Sequence, residues 1–209
     1  ATTAASGTYS VSATASGCGS SSPATTDVTV NAIPTTPTAS SNTPLCEGAT
    51  LNLTASTVAN ATYSWTGPNG FTSNDQNPSI PNVTLATAGV YSVNVSISGC
   101  NSSTVTTNVI VRPIPAAPVA SSNSPVCETL TINLTASTVS GASYSWTGPN
   151  GFTSALQNPS IPNAALADSG VYSVTATVSG CTSPAATTFV AITPLPPAPV
   201  AGSNSPVCI

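Results

Sequence analysis

The segment YSWTGPNGF occurs twice in this sequence of 209 residues, at Tyr63–Phe71 and at Tyr144–Phe152. The copies lie 144 − 63 = 81 residues apart, and GVYSV recurs with the same step at Gly89–Val93 and Gly170–Val174. A related segment, GTYSV, stands earlier, at Gly7–Val11. A fixed period indicates an array of repeated structural units. The sequence therefore predicts one fold repeated along the chain.

The period divides the chain into four parts. We expect the end of a first repeat at 1–36, complete repeats at 37–117 and 118–198, and the start of a fourth repeat at 199–209. The segments PIPAAPV and PLPPAPV separate the repeats, and their prolines favour short, stiff linkers. About 80 residues are enough for a modest core, so each complete repeat is predicted to be a domain.

Apolar and polar residues alternate within each repeat. In the third repeat, Leu130, Ile132, Leu134 and Ala136 are predicted to share the inner face of one strand. Segments with this period of two are separated by GPNG, NPSIPN and SGC, as in antiparallel sheets. No stripe with the 3.6-residue period of a helix is present. About six or seven short strands per repeat predict an antiparallel two-sheet β-sandwich.

The segment LADSGVYSV at Leu166–Val174 resembles the corner between strands E and F of immunoglobulin-like domains. Asp168, Gly170 and Tyr172 match the D-x-G-x-Y pattern of that corner, and Trp146 matches the core tryptophan of strand C. The whole repeat is similar to the immunoglobulin-like and PKD-like repeats of large secreted bacterial surface proteins, including gliding-motility and adhesin proteins of Bacteroidota-type bacteria. The resemblance implies tandem Greek-key sandwiches on a bacterial cell surface.

The resemblance also implies roles for four aromatic residues and for the acid at the corner between strands E and F. It places four aromatic side chains in the cores: Trp65, Trp146, Tyr91 and Tyr172. The GPNG turn is expected to reverse the chain, with glycine supplying a positive φ. In the second repeat LATAG replaces LADSG, so Ala86–Thr87–Ala88 carries no acid. A structural role is therefore expected for Asp168.

The cysteines depart from the antibody pattern, in which a disulfide joins the middles of strands B and F. Those positions are filled by Leu134 (or Ile132) and Val174. Cys127 stands before strand B and Cys181 after strand F, and the two strands run in the same direction in this fold. The cysteines of one repeat are then separated by about eight residues of strand, or roughly 25 Å. A disulfide needs Cα atoms within about 7 Å.

Between repeats this geometry is more favourable, so we predict a disulfide from Cys46 to Cys181 of the next repeat. By the same scheme Cys127 and Cys208 reach forward to later repeats, and Cys18 and Cys100 reach back to earlier ones. The alternatives are pairing within each repeat, as Cys46–Cys100 and Cys127–Cys181, and free thiols. Either scheme implies an oxidising, extracellular compartment.

Charge is almost absent, which excludes several classes of function. The chain has one basic residue, Arg112, with five acids and no histidine. It therefore lacks the basic footprint of nucleic-acid binding, the histidine or lysine of hydrolytic sites, and the ligand sets of metal sites. No apolar run reaches the length of a membrane span, about 18 residues. We expect no enzyme, no cofactor, no metal, no nucleic-acid partner and no membrane span in this segment.

The outward faces of the predicted strands are rich in Ser, Thr and Asn instead of charge. Asn52, Asn94 and Asn133 fall at outward positions within N-x-[ST] triplets, which makes them candidate glycan sites. O-linked sugar on the hydroxyl groups, or burial of these faces in a filament, would also account for a soluble chain with so little surface charge.

These observations predict a structural role: a stalk or filament segment of a long bacterial adhesin, giving reach and rigidity without catalysis. Its partners would be adjacent repeats of the same chain or filament, together with covalent glycans. Two alternatives are a carbohydrate-binding module, which requires exposed aromatic rings, and a spacer in a secreted polysaccharide-degrading enzyme. Ice binding through Thr-rich faces is a further, weaker hypothesis, since it requires a regular flat array of threonines.

Overall fold

The structure is a computed structural model that describes residues 2–202. Cys208 and its predicted pairing lie outside the described residues. The chain divides into two compact units on either side of the Arg112–Pro113 bond. Besides strands, the described residues form five single-turn 3-10 helices: Thr3–Ala5, Pro68–Gly70, Leu85–Thr87, Pro149–Gly151 and Leu166–Asp168.

The first compact unit begins with two small antiparallel ladders. Their strands are β1 Gly7–Val11, β2 Thr14–Ala15, β3 Gly19–Ser20 and β4 Ala24–Val28, with β1 paired to β4 and β2 to β3. Tyr9 in β1 is 51 % exposed, although it stands in the same GxYSV motif as the fully buried Tyr91. Its hydroxyl donates to the carbonyl of Ala5 at 2.8 Å.

A sandwich occupies the rest of the first unit. Its strands are β5 Ala39–Ser41, β6 Leu45–Cys46, β7 Leu51–Ala55, β8 Thr62–Thr66, β9 Thr72–Ser73, β10 Ser79–Ile80, β11 Gly89–Ile97, β12 Cys100–Asn101, β13 Val105–Val109 and β14 Val111–Arg112. One sheet has the order β10-β7-β5, and the other has the order β9-β8-β11, with β12 and β13 both paired to β11. The short strands β6 and β14 pair in parallel.

The second compact unit repeats this topology. Its strands are β15 Ala120–Ser122, β16 Val126–Cys127, β17 Ile132–Ala136, β18 Ser143–Thr147, β19 Thr153–Ser154, β20 Ser160–Ile161, β21 Gly170–Val178, β22 Cys181–Thr182, β23 Ala186–Val190 and β24 Ile192–Thr193. One sheet is β15-β17-β20, the other is β19-β18-β21 with β22 and β23 on β21, and β16 pairs with β24 in parallel. The predicted all-β immunoglobulin-like sandwich is confirmed.

Each sandwich has its own core, built from the inward residues of both sheets. In the second unit Trp146 lies opposite Val174 in the β18–β21 ladder and is fully buried with Ile132 and Tyr172. Trp65 holds the same position in the first unit. Burial of a large apolar side chain stabilises a fold by about 1.5–3 kcal/mol. The period-two alternation therefore places the largest apolar groups where they stabilise the sandwich most.

The prediction that Leu130 points into the core is wrong, since 56 % of it is exposed. Strand β17 begins only at Ile132, because Thr129 has φ 69° and turns the chain before the strand. The Thr129 and Ala164 amides then bond at 2.8 Å to the carbonyls of Ala164 and Leu130, respectively. Leu130 thus belongs to a turn that is paired with a loop.

The GPNG turn differs in detail from the expectation that its glycines supply positive φ. The turn is a 3-10 helix in which Asn150 has φ 53° and Gly151 has φ 70°. Gly148, the first glycine, has an extended φ of −168°. A Cβ placed there would lie 2.4 Å from Cδ1 of Tyr172. Gly148 is needed for the close approach of the tyrosine ring, not for backbone freedom.

Candidate functional site

The cysteines lie at the ends of the sandwiches, outside the cores. Cys127 in β16 is opposite Thr193 of β24, the last strand of its sandwich. Cys46 in β6 is likewise opposite Arg112 of β14. These two cysteines therefore mark the end of each sandwich where the chain leaves it.

Cys181 lies at the opposite end of the sandwich from Cys127. It belongs to β22 and is opposite Val178, the last residue of β21. Strand β23 runs back along β21 from Val174 to Gly170 and is followed by β24. The separation of the two cysteines agrees with the geometry predicted for a repeat of this fold. Sequence reasoning placed both outside regular strands, whereas each belongs to a short two-residue strand.

The oxidation states of the cysteines distinguish the two pairing schemes. Cys46 and Cys181 are in disulfide form, whereas Cys18, Cys100 and Cys127 are free thiols. Each pair of the scheme within a repeat, Cys46–Cys100 and Cys127–Cys181, therefore contains one free thiol and is absent from the structure. Both members of the predicted Cys46–Cys181 pair are in disulfide form.

A contact in the first compact unit connects the residues after β4 with the turn between β11 and β12. The Asn31 side-chain amide donates to the Ser98 carbonyl at 3.2 Å, and the Cys100 thiol donates to the Asn31 carbonyl at 3.8 Å. Asn31 follows Val28, the end of β4, by three residues. The segment that leaves the N-terminal ladder thus lies against the cysteine-bearing turn of the sandwich that follows it in sequence.

The corner between β20 and β21 shows what the acid at Asp168 does. The Tyr172 hydroxyl donates to the Asp168 carbonyl at 2.9 Å. The Asp168 carboxylate accepts from the Ala165 backbone amide and from the Asn150 side-chain amide, both at 2.9 Å. Burial raises the pKa of Tyr172, and the negative charge of Asp168 raises it further. The carboxylate therefore acts as a cap of the Leu166–Asp168 turn, in a structural role.

The second repeat builds the same corner without an acid. The Tyr91 hydroxyl donates to the Thr87 carbonyl at 2.9 Å. The Thr87 hydroxyl donates to the Thr84 carbonyl at 2.6 Å, and the Asn69 side chain donates to the Ala86 carbonyl at 3.2 Å. Different side chains thus satisfy the same turn, so the acid is not required for it.

Two side chains that the sequence did not single out hold the end of β17. Asn158 Oδ1 accepts from the Ala136 amide at 3.0 Å, and the Gln157 side-chain amide donates to the Ala136 carbonyl at 2.8 Å. Gln76 and Asn77 make the same bonds to Ala55 in the first unit. The recurrence of the QNPSIPN segment was the available signal for these residues.

Rows of hydroxyl groups cross four strands on the outer face of each five-stranded sheet. The register places these residues side by side in each sandwich: Thr153, Thr147, Ser173 and Thr187 in the second unit, and Thr72, Thr66, Ser92 and Thr106 in the first. Beside the row in the second unit, Val171 and Phe189 form an exposed cross-strand pair. The face carries hydroxyl and apolar groups in place of charges.

The three candidate glycan sites lie on strands. Asn52 and Asn133 are exposed on β7 and β17, and Asn94 is half-buried on β11. All three point away from the cores, because the neighbouring positions in each strand are buried.

Open recesses lie on the described surface, and one of about 200 Å³ is lined by Tyr9, Ser10, Val11, Ala24, Thr25 and Thr26. An open recess of about 370 Å³ is lined by Ser145, Trp146, Thr153, Ser154 and Ala155. Trp146 is completely buried, so its ring is not available to stack on a sugar. Within residues 2–202 no three His, Cys, Asp or Glu side chains are grouped as metal ligands. Over the same range no helix has the length and apolarity of a membrane span.

No protein-family model matches the sequence. Solved structures that the chain resembles include murine CEACAM1b, at 16 % identity and a TM-score of 0.44, over 77 % of this chain and 99 % of that chain. Domains of titin match at 15 % identity and a TM-score of 0.43, over 92 % and 77 %. The N-terminal domains of the bacteriophage RB49 outer capsid protein Hoc match at 20 % identity and 0.38, over 75 % and 59 %. At these values no conclusion about function follows from them.

Proposed function

We propose that this chain is a segment of a stiff extracellular stalk or filament on a bacterial cell surface, built from tandem immunoglobulin-like repeats at 37–117 and 118–198. It provides reach and rigidity without catalysis, and the adhesive chemistry lies elsewhere in the full protein. One observation supports the proposal most: the two cysteines in disulfide form, Cys46 and Cys181, belong to different repeats and mark different ends of the sandwich.

A disulfide between adjacent repeats would limit bending at the proline linker between them. It would also hold the sandwiches together under tension and against proteolysis. The adjacent repeats are therefore the principal partners in this proposal. Cys18, Cys100 and Cys127 are free thiols. In the same scheme Cys18 and Cys100 would pair with earlier repeats and Cys127 with a later one. Disulfide formation supports an extracellular location, because the cytosol keeps thiols reduced.

Covalent glycans on the uncharged faces are the second part of the proposal. Few charges are available to keep the protein dispersed, and the hydroxyl rows and the amides of Asn52, Asn94 and Asn133 lie on outward faces. Sugar on these groups would supply the hydration that charge supplies on other soluble proteins.

Digestion with chymotrypsin under non-reducing conditions tests the disulfide scheme, because cleavage after aromatic residues places Cys46 and Cys181 on different fragments. Fragment 10–63 contains Cys18 and Cys46, fragment 92–144 contains Cys100 and Cys127, and fragment 173–189 contains Cys181. Sequencing of the joined peptides by tandem mass spectrometry identifies which cysteine of fragment 10–63 is bridged. We expect mass spectrometry to find 10–63 joined directly to 173–189. Fragment 92–144 joined to both of the others would contradict the proposal.

A further inference from the structure

The parallel ladder between β16 and β24 ends where the proline linker begins. Its last pair is Cys127 with Thr193, and the Glu128 amide adds a bond to the Thr193 carbonyl at 3.0 Å. Beyond Glu128 the backbone leaves the ladder, because Thr129 has φ 69° and the Leu130 amide bonds back to the Cys127 carbonyl at 3.2 Å. The strand β16 therefore does not continue alongside the linker.

The side chain of Glu128 continues the ladder in place of the backbone. Pro194 has no amide hydrogen, so Leu195 carries the first N–H group of the linker. The Leu195 amide donates to Glu128 Oε2 at 3.2 Å. Glu128 therefore holds the chain on both sides of Pro194, with its own amide on Thr193 and its carboxylate on Leu195.

We infer that Glu128 is a positioning residue that fixes the direction in which the linker leaves the sandwich. The proline ring fixes φ of Pro194, and the two bonds of Glu128 restrain the peptide groups before and after it. A bond to a carboxylate is stronger than one between neutral groups. The restraint acts where bending of a stalk would begin, so the inference rests on the proposed mechanical role and deepens it.

The same acid recurs in the preceding repeat. Glu47 follows Cys46 as Glu128 follows Cys127, and its amide donates to the Arg112 carbonyl at 3.0 Å. The sequence alone assigns neither acid to a site. Glu128 and Leu195 are 67 residues apart. No local sequence pattern around Glu128 therefore indicates that its carboxylate binds the Leu195 amide.

Hydrogen exchange of the full chain, followed by NMR, tests this role at the Leu195 amide. Glu128→Ala is expected to raise the exchange rate of the Leu195 amide about five- to tenfold, because the bond that it removes is solvent-exposed and 3.2 Å long. Glu128→Gln keeps a carbonyl acceptor and is the matched control, with a change of only about two- to threefold expected. Unchanged protection of the Val174 amide in the core shows that a variant has folded.

Equal exchange of Leu195 in the wild type and in Glu128→Ala would overturn the inference. If Glu128→Ala does not fold, Glu128→Asp is the substitute, because its chain is one methylene shorter and the same loss of protection is expected. Backbone order parameters of Leu195 and Ala198 give a second readout, and they should fall in the alanine variant. Failure of this inference and failure of the stalk proposal are distinguishable. A chain that bends freely between repeats could still show the Glu128 bond, and failure of the bond would leave the disulfide scheme untouched.

Discussion

At the scale of single residues, each sandwich depends on a close contact between a glycine and a tyrosine. Gly148 lies against the ring of Tyr172, and Phe152 packs on that ring edge-on, with ring centroids 5.6 Å apart. The same arrangement is found for Gly67, Tyr91 and Phe71. In each sandwich the tyrosine ring therefore occupies the space that a Cβ atom on the glycine would take.

Gly148→Ala is expected to destabilise the second sandwich, because the new methyl group would lie 2.4–2.5 Å from two ring carbons of Tyr172. Overpacking of this kind costs about 1–3 kcal/mol or more. Denaturant unfolding measures the loss. Ser145→Ala on the exposed face of β18 is the control and should change stability by less than about 0.5 kcal/mol. Equal stabilities of the two variants would argue against the contact.

The buried tyrosines predict a loss of stability at high pH. Burial raises the pKa of Tyr91 and of Tyr172, with Asp168 adding to the shift at Tyr172. A tyrosine with a higher pKa when folded holds its proton more tightly in the folded state. Its stabilising contribution is therefore complete below the ordinary tyrosine pKa of about 10 and is lost as the pH rises through the folded value. Thermal unfolding between about pH 8 and pH 11 measures this fall.

The Tyr172→Phe variant separates this effect from general alkaline denaturation. It has no ionisable group at this site, so its stability should fall less steeply above about pH 10 than that of the wild type. At neutral pH it should be less stable by about 0.5–1.5 kcal/mol, because the bond to the Asp168 carbonyl is lost. Parallel curves for the two proteins would contradict the assignment.

At the scale of elements, the corner before β21 tests whether the acid matters for the turn. Asp168→Ala removes the acceptor for Ala165 and for Asn150 and should cost about 0.5–2 kcal/mol, as for other turn and helix caps. Asp168→Thr introduces the residue that the second repeat uses at Thr87, and it should recover part of the loss. Urea unfolding of both variants makes the comparison, and an alanine variant as stable as the wild type would exclude the capping role.

The elements also show which features the sequence could predict. The alternation around Trp146 and the GVYSV motif of β21 identify a strand by short-range pattern, since neighbouring side chains point to opposite faces. The roles of Gly148 and Asn158 depend on partners that are distant in sequence, at Tyr172 and Ala136. Leu130 followed the pattern but lies in a turn, because a single positive φ at Thr129 outweighed the alternation.

At the scale of the whole molecule, the chain carries few charges and has cysteines that recur with the repeat. Two sandwiches of the same topology each bury their own core. Cys46 and Cys127 lie where the chain leaves their respective sandwiches, and Cys181 lies at the opposite end of its own sandwich from Cys127. In the proposed stalk, the joints between repeats would supply the stiffness.

Small-angle X-ray scattering of the full chain, before and after reduction of its disulfide, tests the central claim most directly. We predict that the oxidised chain scatters as one extended particle of fixed shape and that reduction increases the range of its conformations. Scattering from freely hinged domains in the oxidised chain would contradict the account of a stiff stalk.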